Sequence, residues 1–177
     1  DGLLPDNAAV REEWGRRFKV SARNPFALLR HVGRDAAGAV QVLAADVDPP
    51  DAAQRTGDVR RLSEAEVCDM LRELTVRDAG WEVGAGSGRW SLAGAQTKVA
   101  LHQLDDGSWG VPDDSTPTTH ILKPAIHSVE DSVINEGFCM ALAEAMQLKP
   151  AKSTVHQVFD RSFLLVERYD RLIDAQG

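Results

Sequence analysis

Ser91-Leu92-Ala93-Gly94-Ala95-Gln96-Thr97-Lys98 is the stretch from which the rest of the chain is read. Only Leu92 has a bulky branched body. Gly94 permits backbone angles that other residues avoid, so the run offers a row of N–H groups to a negatively charged ligand, phosphate foremost. Val99 to Leu104 follows as a strand, and His120-Ile121-Leu122-Lys123-Pro124 supplies another strand carrying one lysine. Loop, strand and strand-borne lysine together suit the phosphates of a nucleotide. A tight hairpin beside a solvated lysine has the same pattern, so the loop alone leaves both readings open.

Composition narrows the classes. The 177 residues, 43% of them hydrophobic, suffice for a core of ordinary size in one domain or two small ones. Against 20 basic residues stand 27 acidic ones, and the resulting charge of −7 opposes an extended contact with nucleic acid phosphates. Cys68 and Cys139 each lie at helical spacing among apolar residues, which reads as buried thiols in a reduced cytoplasmic protein and not as a disulfide or zinc site. No apolar run reaches the roughly 18 residues of a membrane span, and the start, Asp1-Gly2-Leu3-Leu4-Pro5, lacks the basic flank and apolar segment of an export signal. The missing initiator methionine reads as a piece of a longer chain.

Periodicity then places the elements. Asn7 is a helix cap, and Val10, Trp14 and Phe18 predict one buried stripe over residues 7–19. Asn24-Pro25 starts a second helix, with Phe26, Leu29 and Val32 on its buried side, closing at Gly33. Gly38 to Leu43 is a short expected strand. From Ala44 to Asp58 the composition shifts to Asp, Pro, Ala, Gln and Gly, a linker, so the expected domains are 1–58 and 59–177. Ser63-Glu64-Ala65-Glu66 fits a capping box, and Val67, Met70, Leu71 and Leu74 give the helix behind it one apolar face to about Val76. Gly84, Gly86 and Gly88 approach the central loop, but Arg89 stands where a dinucleotide fingerprint needs its third glycine.

Beyond the loop, Asp105-Asp106-Gly107 joins the strand 99–104 to Ser108–Val111 as a hairpin. Thr118 to Lys123 is a third strand, ended by Pro124. A helix runs from Ser128 to about Leu148 with Ile134, Phe138, Ala141, Leu142 and Ala145 inside. Two strands follow, Thr154–Phe159 and Ser162–Tyr169. The expected fold is α+β: five antiparallel strands with one long helix between the third and fourth, as in a kinase small lobe, preceded by part of a smaller helical subdomain.

The wording of Ser91 to Lys98, Thr116-Pro117-Thr118-Thr119-His120-Ile121-Leu122-Lys123, Asn135-Glu136 and Glu167-Arg168-Tyr169-Asp170-Arg171 closely resembles the HipA-type bacterial toxin serine/threonine kinases. Leu3-Leu4-Pro5-Asp6, Asn24-Pro25-Phe26 and Gly33 to Val40 resemble their amino-terminal subdomain, so the likeness runs along nearly the whole chain. The resemblance implies an ATP-binding lobe, with Mg²⁺ in the complete protein, cytoplasmic and paired with an antitoxin in persistence. Ala93, Gly94, Ala95, Gln96 and Lys98 would cover the phosphates, and Ser91 would be autophosphorylated, its added charge displacing the loop; a hydroxyl capping the turn is the plainer role. Lys123 would contact the α- and β-phosphates, oriented by Glu136, while Glu167, Arg168 and Tyr169 would form the hinge strand beside adenine. The plainer alternatives are a solvated lysine, a solvated glutamate and a salt-bridged edge strand with a core aromatic. Thr97 departs from the proline or glutamate common in the family.

The carboxylates and asparagine of phosphoryl transfer follow the hinge in such kinases, whereas this sequence stops at Gly177, so no catalytic residue is expected here and the piece alone should be inactive. The implied partners are a helix-turn-helix antitoxin of HipB type, DNA only through that antitoxin, and an aminoacyl-tRNA synthetase or similar translation factor as substrate. Two other classes stay open: a docking module for the antitoxin, and a domain that has lost nucleotide binding, for which Thr97 is the sequence support. The five histidines show no metal-ligand spacing and read as structural.

Overall fold

A computed structural model describes residues 2–46, 58–76, 90–113 and 115–171. The chain opens with α1 (Ala8–Phe18) and α2 (Pro25–Val32). The Asn7 side chain accepts the Ala9 N–H at 2.9 Å and the Asn24 side chain that of Ala27 at 3.2 Å, so both predicted caps satisfy otherwise unpaired donors. Leu4, Leu28, Leu29 and Val32 form a small core against which Trp14 and Phe18 pack. Phe26, expected on the buried side, is 78% exposed. It projects opposite to Leu28, and a two-turn helix has only one face to bury.

Next come β1 (Asp35–Ala36), a short 3₁₀ turn (Ala37–Ala39), β2 (Val59–Arg61) and α3 (Glu64–Val76). The strand expected over 38–43 does not form. Gly38 and Ala39 take left-handed angles, φ +73° and +57°, which break an extended run. Most of the expected linker, residues 47–57, and all three glycines 84, 86 and 88 lie outside the described residues. The capping box is made in full: Glu66 accepts the Ser63 N–H at 2.8 Å and Ser63 Oγ accepts the Glu66 N–H at 3.2 Å.

The remaining elements are β3 (Trp90–Ser91), β4 (Val99–Gln103), β5 (Trp109–Pro112), β6 (His120–Pro124), α4 (Ser132–Ala145), β7 (Ser153–Val158) and β8 (Arg161–Glu167). One antiparallel sheet has the order β2-β5-β4-β6-β8-β7, and β1 and β3 form a separate parallel pair. The five expected strands are all present, and a sixth, Val59–Arg61, lies at the edge. Its two arginines conceal any alternation; they pair outward with Glu66 and Asp106. Gly110 sits opposite Arg61, where a Cβ would approach Val59 Cγ1 to 2.3 Å, so this edge pairing requires glycine.

Helices cover both faces of the sheet. Val67, Met70, Leu71 and Leu74 of α3 pack on Val99, Leu101, Leu122, Phe163 and Leu165. On the other face Val133 of α4 meets Leu164, Val166 and Ile121. This double covering buries four consecutive residues of β8, Phe163 to Val166, where a half-solvated strand would alternate. It also fixes the site, because alternation along β6 turns Leu122 toward α3 and Lys123 toward α4.

Helix α4 is rotated from the expected orientation and begins at Ser132, after a left-handed Asp131. Ile134, Phe138 and Leu142 are 55%, 65% and 48% exposed, and the inward stripe is Val133, Glu136, Gly137, Met140 and Ala143. The helix is apolar on several sides, so size decides: at Gly137 a Cβ would approach Val155 Cγ2 to 2.6 Å, so the smallest residue faces the sheet. Cys68 is buried as expected, whereas Cys139, on the outer side of this helix, is exposed. Among the described residues no helix is long and apolar enough to cross a membrane.

Candidate functional site

The expected loop spans the gap between β3 and β4. Ser91 is in β3, its backbone opposite Ala36, and Leu92 is buried. Ala93 and Ala95 are exposed, Gln96 and Thr97 half-buried. Gly94 has φ +105°, so glycine is demanded by conformation, and a Cβ there would lie 2.8 Å from Lys98 Nζ and push that flexible side chain aside. The loop folds back over its own lysine: Lys98 Nζ donates to the Ala93 carbonyl at 2.7 Å.

Lys123 projects from β6 to the same neighbourhood, and its Nζ lies 2.5 Å from Glu136 Oε1 on α4, both side chains less than one-third exposed. Burial holds the Lys98 ammonium below the ordinary lysine value, and the charge of Lys123 lowers it further, against the attraction of Asp6 and Glu136. Two ammonium groups thus converge near Glu136, which pairs with Lys123, while Asp6 attracts Lys98 from beyond ion-pair distance. Among the described residues Lys98 has a carbonyl and no carboxylate within ion-pair distance. That geometry suits an additional anion. A cavity of about 370 Å³ borders the loop at Ala95, Gln96 and Thr97, but it opens on the α3 side, with Leu74, Thr75 and Pro124 to His127 as its other walls, and neither lysine lines it.

The segment expected beside adenine is arranged differently from a row of free backbone donors. The Glu167 N–H donates to Lys152 O and the Arg168 N–H to Thr119 O, each at 2.9 Å, so any base contact falls to other backbone atoms of the segment. The Glu167 carboxylate lies 3.2 Å from Lys152 Nζ, and Tyr169 is 90% exposed. Arg168 turns inward and is almost wholly buried.

There it meets residues that the sequence reading assigned no role. Arg168 Nη1 donates to Asp35 Oδ2 at 3.1 Å and to Thr118 Oγ1 at 2.8 Å, while Nε and Nη2 hold Asp170 at 3.1 and 2.9 Å. Arg171 pairs with Asp170 at 2.9 Å and with Asp35. Burial pushes the Asp170 carboxyl up, but the bonds from Arg168 and the Gly38 N–H and the two guanidinium charges outweigh it and leave the group at about 2. The signal was partly visible, since the run Glu167 to Arg171 alternates charges; Asp35, far away in sequence, offers no periodic cue.

Comparisons with known proteins bear on the family and the fold. A family profile described as the HipA N-terminal domain matches residues 1–43, and one described as the HipA-like C-terminal domain matches residues 90–176. A curated relative, "Putative kinase Y4mE" of Sinorhizobium fredii, is 41% identical over 99% of this chain and 41% of its own length. The "Serine/threonine-protein kinase toxin HipA" of Shewanella oneidensis is 29% identical over 96% of this chain and 36% of its own. A solved complex of Shewanella oneidensis HipA with HipB and operator DNA superposes with a TM-score of 0.74 at 26% identity, covering 99% of this chain and 38% of that one. The chain thus spans about two fifths of the length of the relatives it matches. With two domains of one family matched in order along it, and a HipA toxin aligned over almost all its residues, this protein belongs to the HipA family.

Proposed function

We propose that the chain is the ATP-binding lobe of a HipA-type serine/threonine protein kinase, the toxin of a toxin–antitoxin pair. The observation that carries this reading is that Lys98, tucked under the glycine-containing loop, and Lys123, held by Glu136, stand at the same end of the paired strands β4 and β6. Lys123 takes the α- and β-phosphates and Lys98 adds a second cation, while the backbone of Ala93 to Gln96 covers them; Glu136 fixes the direction of Lys123. Backbone atoms around Glu167 to Tyr169 contact the base. ATP supplies the phosphoryl group and Mg²⁺ neutralises its charge; no residue of this chain is assigned to the metal. In the whole protein the same reading gives transfer to a translation factor such as an aminoacyl-tRNA synthetase and autophosphorylation at Ser91.

An amide NMR titration with ATP and Mg²⁺ tests the reading. Shifts concentrated at residues 91–98, Lys123 and 167–169, lost in Lys123→Met, are the expected result. No shift at millimolar ATP overturns it.

A second reading is favoured by the assembly of the structural relative with HipB and operator DNA. In it, the chain docks a helix-turn-helix antitoxin of HipB type, touches DNA only through that partner, and binds no nucleotide itself. Shifts on adding antitoxin that are confined to α1, α2 and β1, with none on adding ATP, would select it.

A further inference from the structure

The loop between β3 and β4 is tied to the amino-terminal segment at two points. Ala36 lies opposite Ser91 in the parallel pair, and Pro5 bridges Gly94, whose carbonyl accepts the Asp6 N–H at 3.4 Å. Each tie has its own anchor. Leu4, adjoining Pro5, is buried with Leu28, Leu29 and Val32. The Ala36 carbonyl accepts from Arg168 at 3.3 Å and Arg171 at 2.9 Å. Asp35, one residue earlier, accepts the Thr118 N–H at 3.1 Å and its hydroxyl at 2.5 Å, in addition to the two guanidinium groups. One carboxylate therefore joins the approach to β6, the end of β8 and the short strand that holds Ser91.

We propose that Asp35 is a positioning residue for the phosphate loop, and that the amino-terminal segment acts as the clasp setting the loop over Lys98 and Lys123; the consequence for ligand binding rests on the nucleotide reading above. Asp35 has Thr118, Arg168 and Arg171 as partners, none of which belongs to the lysine cluster, so its influence passes through the loop backbone. A two-residue parallel pair has little stability of its own, and side-chain anchoring supplies what its ladder lacks. Without the Asp35 charge the guanidinium groups lose a shared acceptor, β1 loosens from β3, and the N–H row of residues 92–96 no longer holds one geometry.

Hydrogen exchange and ATP titration of the full 177-residue chain test this together. Asp35→Asn is expected to speed amide exchange across residues 91–98 about tenfold and to weaken ATP binding by about three- to tenfold. Met70→Ala, in the core under α3, is expected to lower the melting temperature without singling out the loop, which separates positioning from general destabilisation. Loop exchange unchanged in Asp35→Asn overturns the proposal even if melting falls. Thr118→Val removes one donor to Asp35 while keeping its shape, and decides the matter if Asp35→Asn does not fold: faster loop exchange supports the clasp and unchanged exchange sinks it. Exchange needs no nucleotide, so a chain that binds no ATP defeats the nucleotide reading while the clasp is still judged.

Discussion

Two ionic clusters sit on the same sheet and differ in how closely their charges pair and how deeply they are buried. Around Arg168 two guanidinium groups meet two carboxylates, Asp35 and Asp170, at side-chain exposures of 1% to 14%, although Arg171 Nε has no hydrogen-bond partner among the described residues and a cavity of about 150 Å³ reaches Asp35, Asp170 and Arg171. Around Lys123, only Glu136 comes within ion-pair distance, Lys98 feels Asp6 and Glu136 from further off, and solvent still reaches the Lys123–Glu136 pair. The closely paired, buried cluster is a fastening. The under-paired, half-wet one has spare cationic capacity, the property a phosphate site needs.

The difference can be broken from its strong side first. Arg168→Ala leaves two carboxylates beneath the surface with one guanidinium fewer, and is expected to lower the unfolding free energy by about 3–5 kcal/mol, read by urea denaturation. A loss under about 1 kcal/mol would show that the cluster is not a fastening.

Acid should act on the same side. The Asp170 carboxyl lies at about 2 in the folded chain against an ordinary 3.8, so its contribution is present above the ordinary value and is lost as pH falls through the folded one. Stability should therefore drop by about 2 kcal/mol between pH 4 and 2. In Asp170→Asn that part of the acid dependence should vanish.

Lys123→Met strikes the other cluster. It should weaken ATP binding tenfold or more, about 1.4 kcal/mol, while changing stability by less than about 1 kcal/mol, as titration and melting would read. Because burial and Lys123 lower the Lys98 value, ATP affinity should also begin to fall at a pH below the ordinary lysine range, as Lys98 loses the proton that an anion requires. An affinity flat up to the ordinary lysine value would remove Lys98 from the site.

Lys152→Ala sets the lower limit. The Lys152–Glu167 pair is 83% and 49% exposed at its two side chains, and its removal should shift stability by at most about 0.5 kcal/mol. A larger effect would mean that exposure does not separate fastening from spare charge on this sheet.

Much of this was legible in local patterns. Asn7, Asn24-Pro25 and the Ser63 to Glu66 box each use a side chain to satisfy a helix-end donor within three residues, so spacing alone locates the helices. The hairpin at Asp105 to Gly107 is equally local, and the Leu104 N–H donates to Ser108 O at 2.9 Å. Within the candidate site, the loop and both lysines were legible, and the fold brings Lys123 to Glu136 on a helix that sequence could place but not orient. Asp35 was not legible, because a charge in a short polar run looks solvated until an arginine from the far end of the chain covers it.

The sequence by itself determined the helices, the five longer strands, the small-residue loop and the strand lysine, because caps, turns and periodicity act within a few residues. Tertiary structure decided which side of α4 faces inward, where a close approach required Gly137 and left Phe138 in solvent. It also decided that Arg168 is a buried fastening, and that a two-residue strand beside Asp35 reaches the loop at Ser91. Those outcomes depend on which groups meet across the folded sheet, and the energies of burial and ion pairing are set by that meeting and not by the order of residues along the chain.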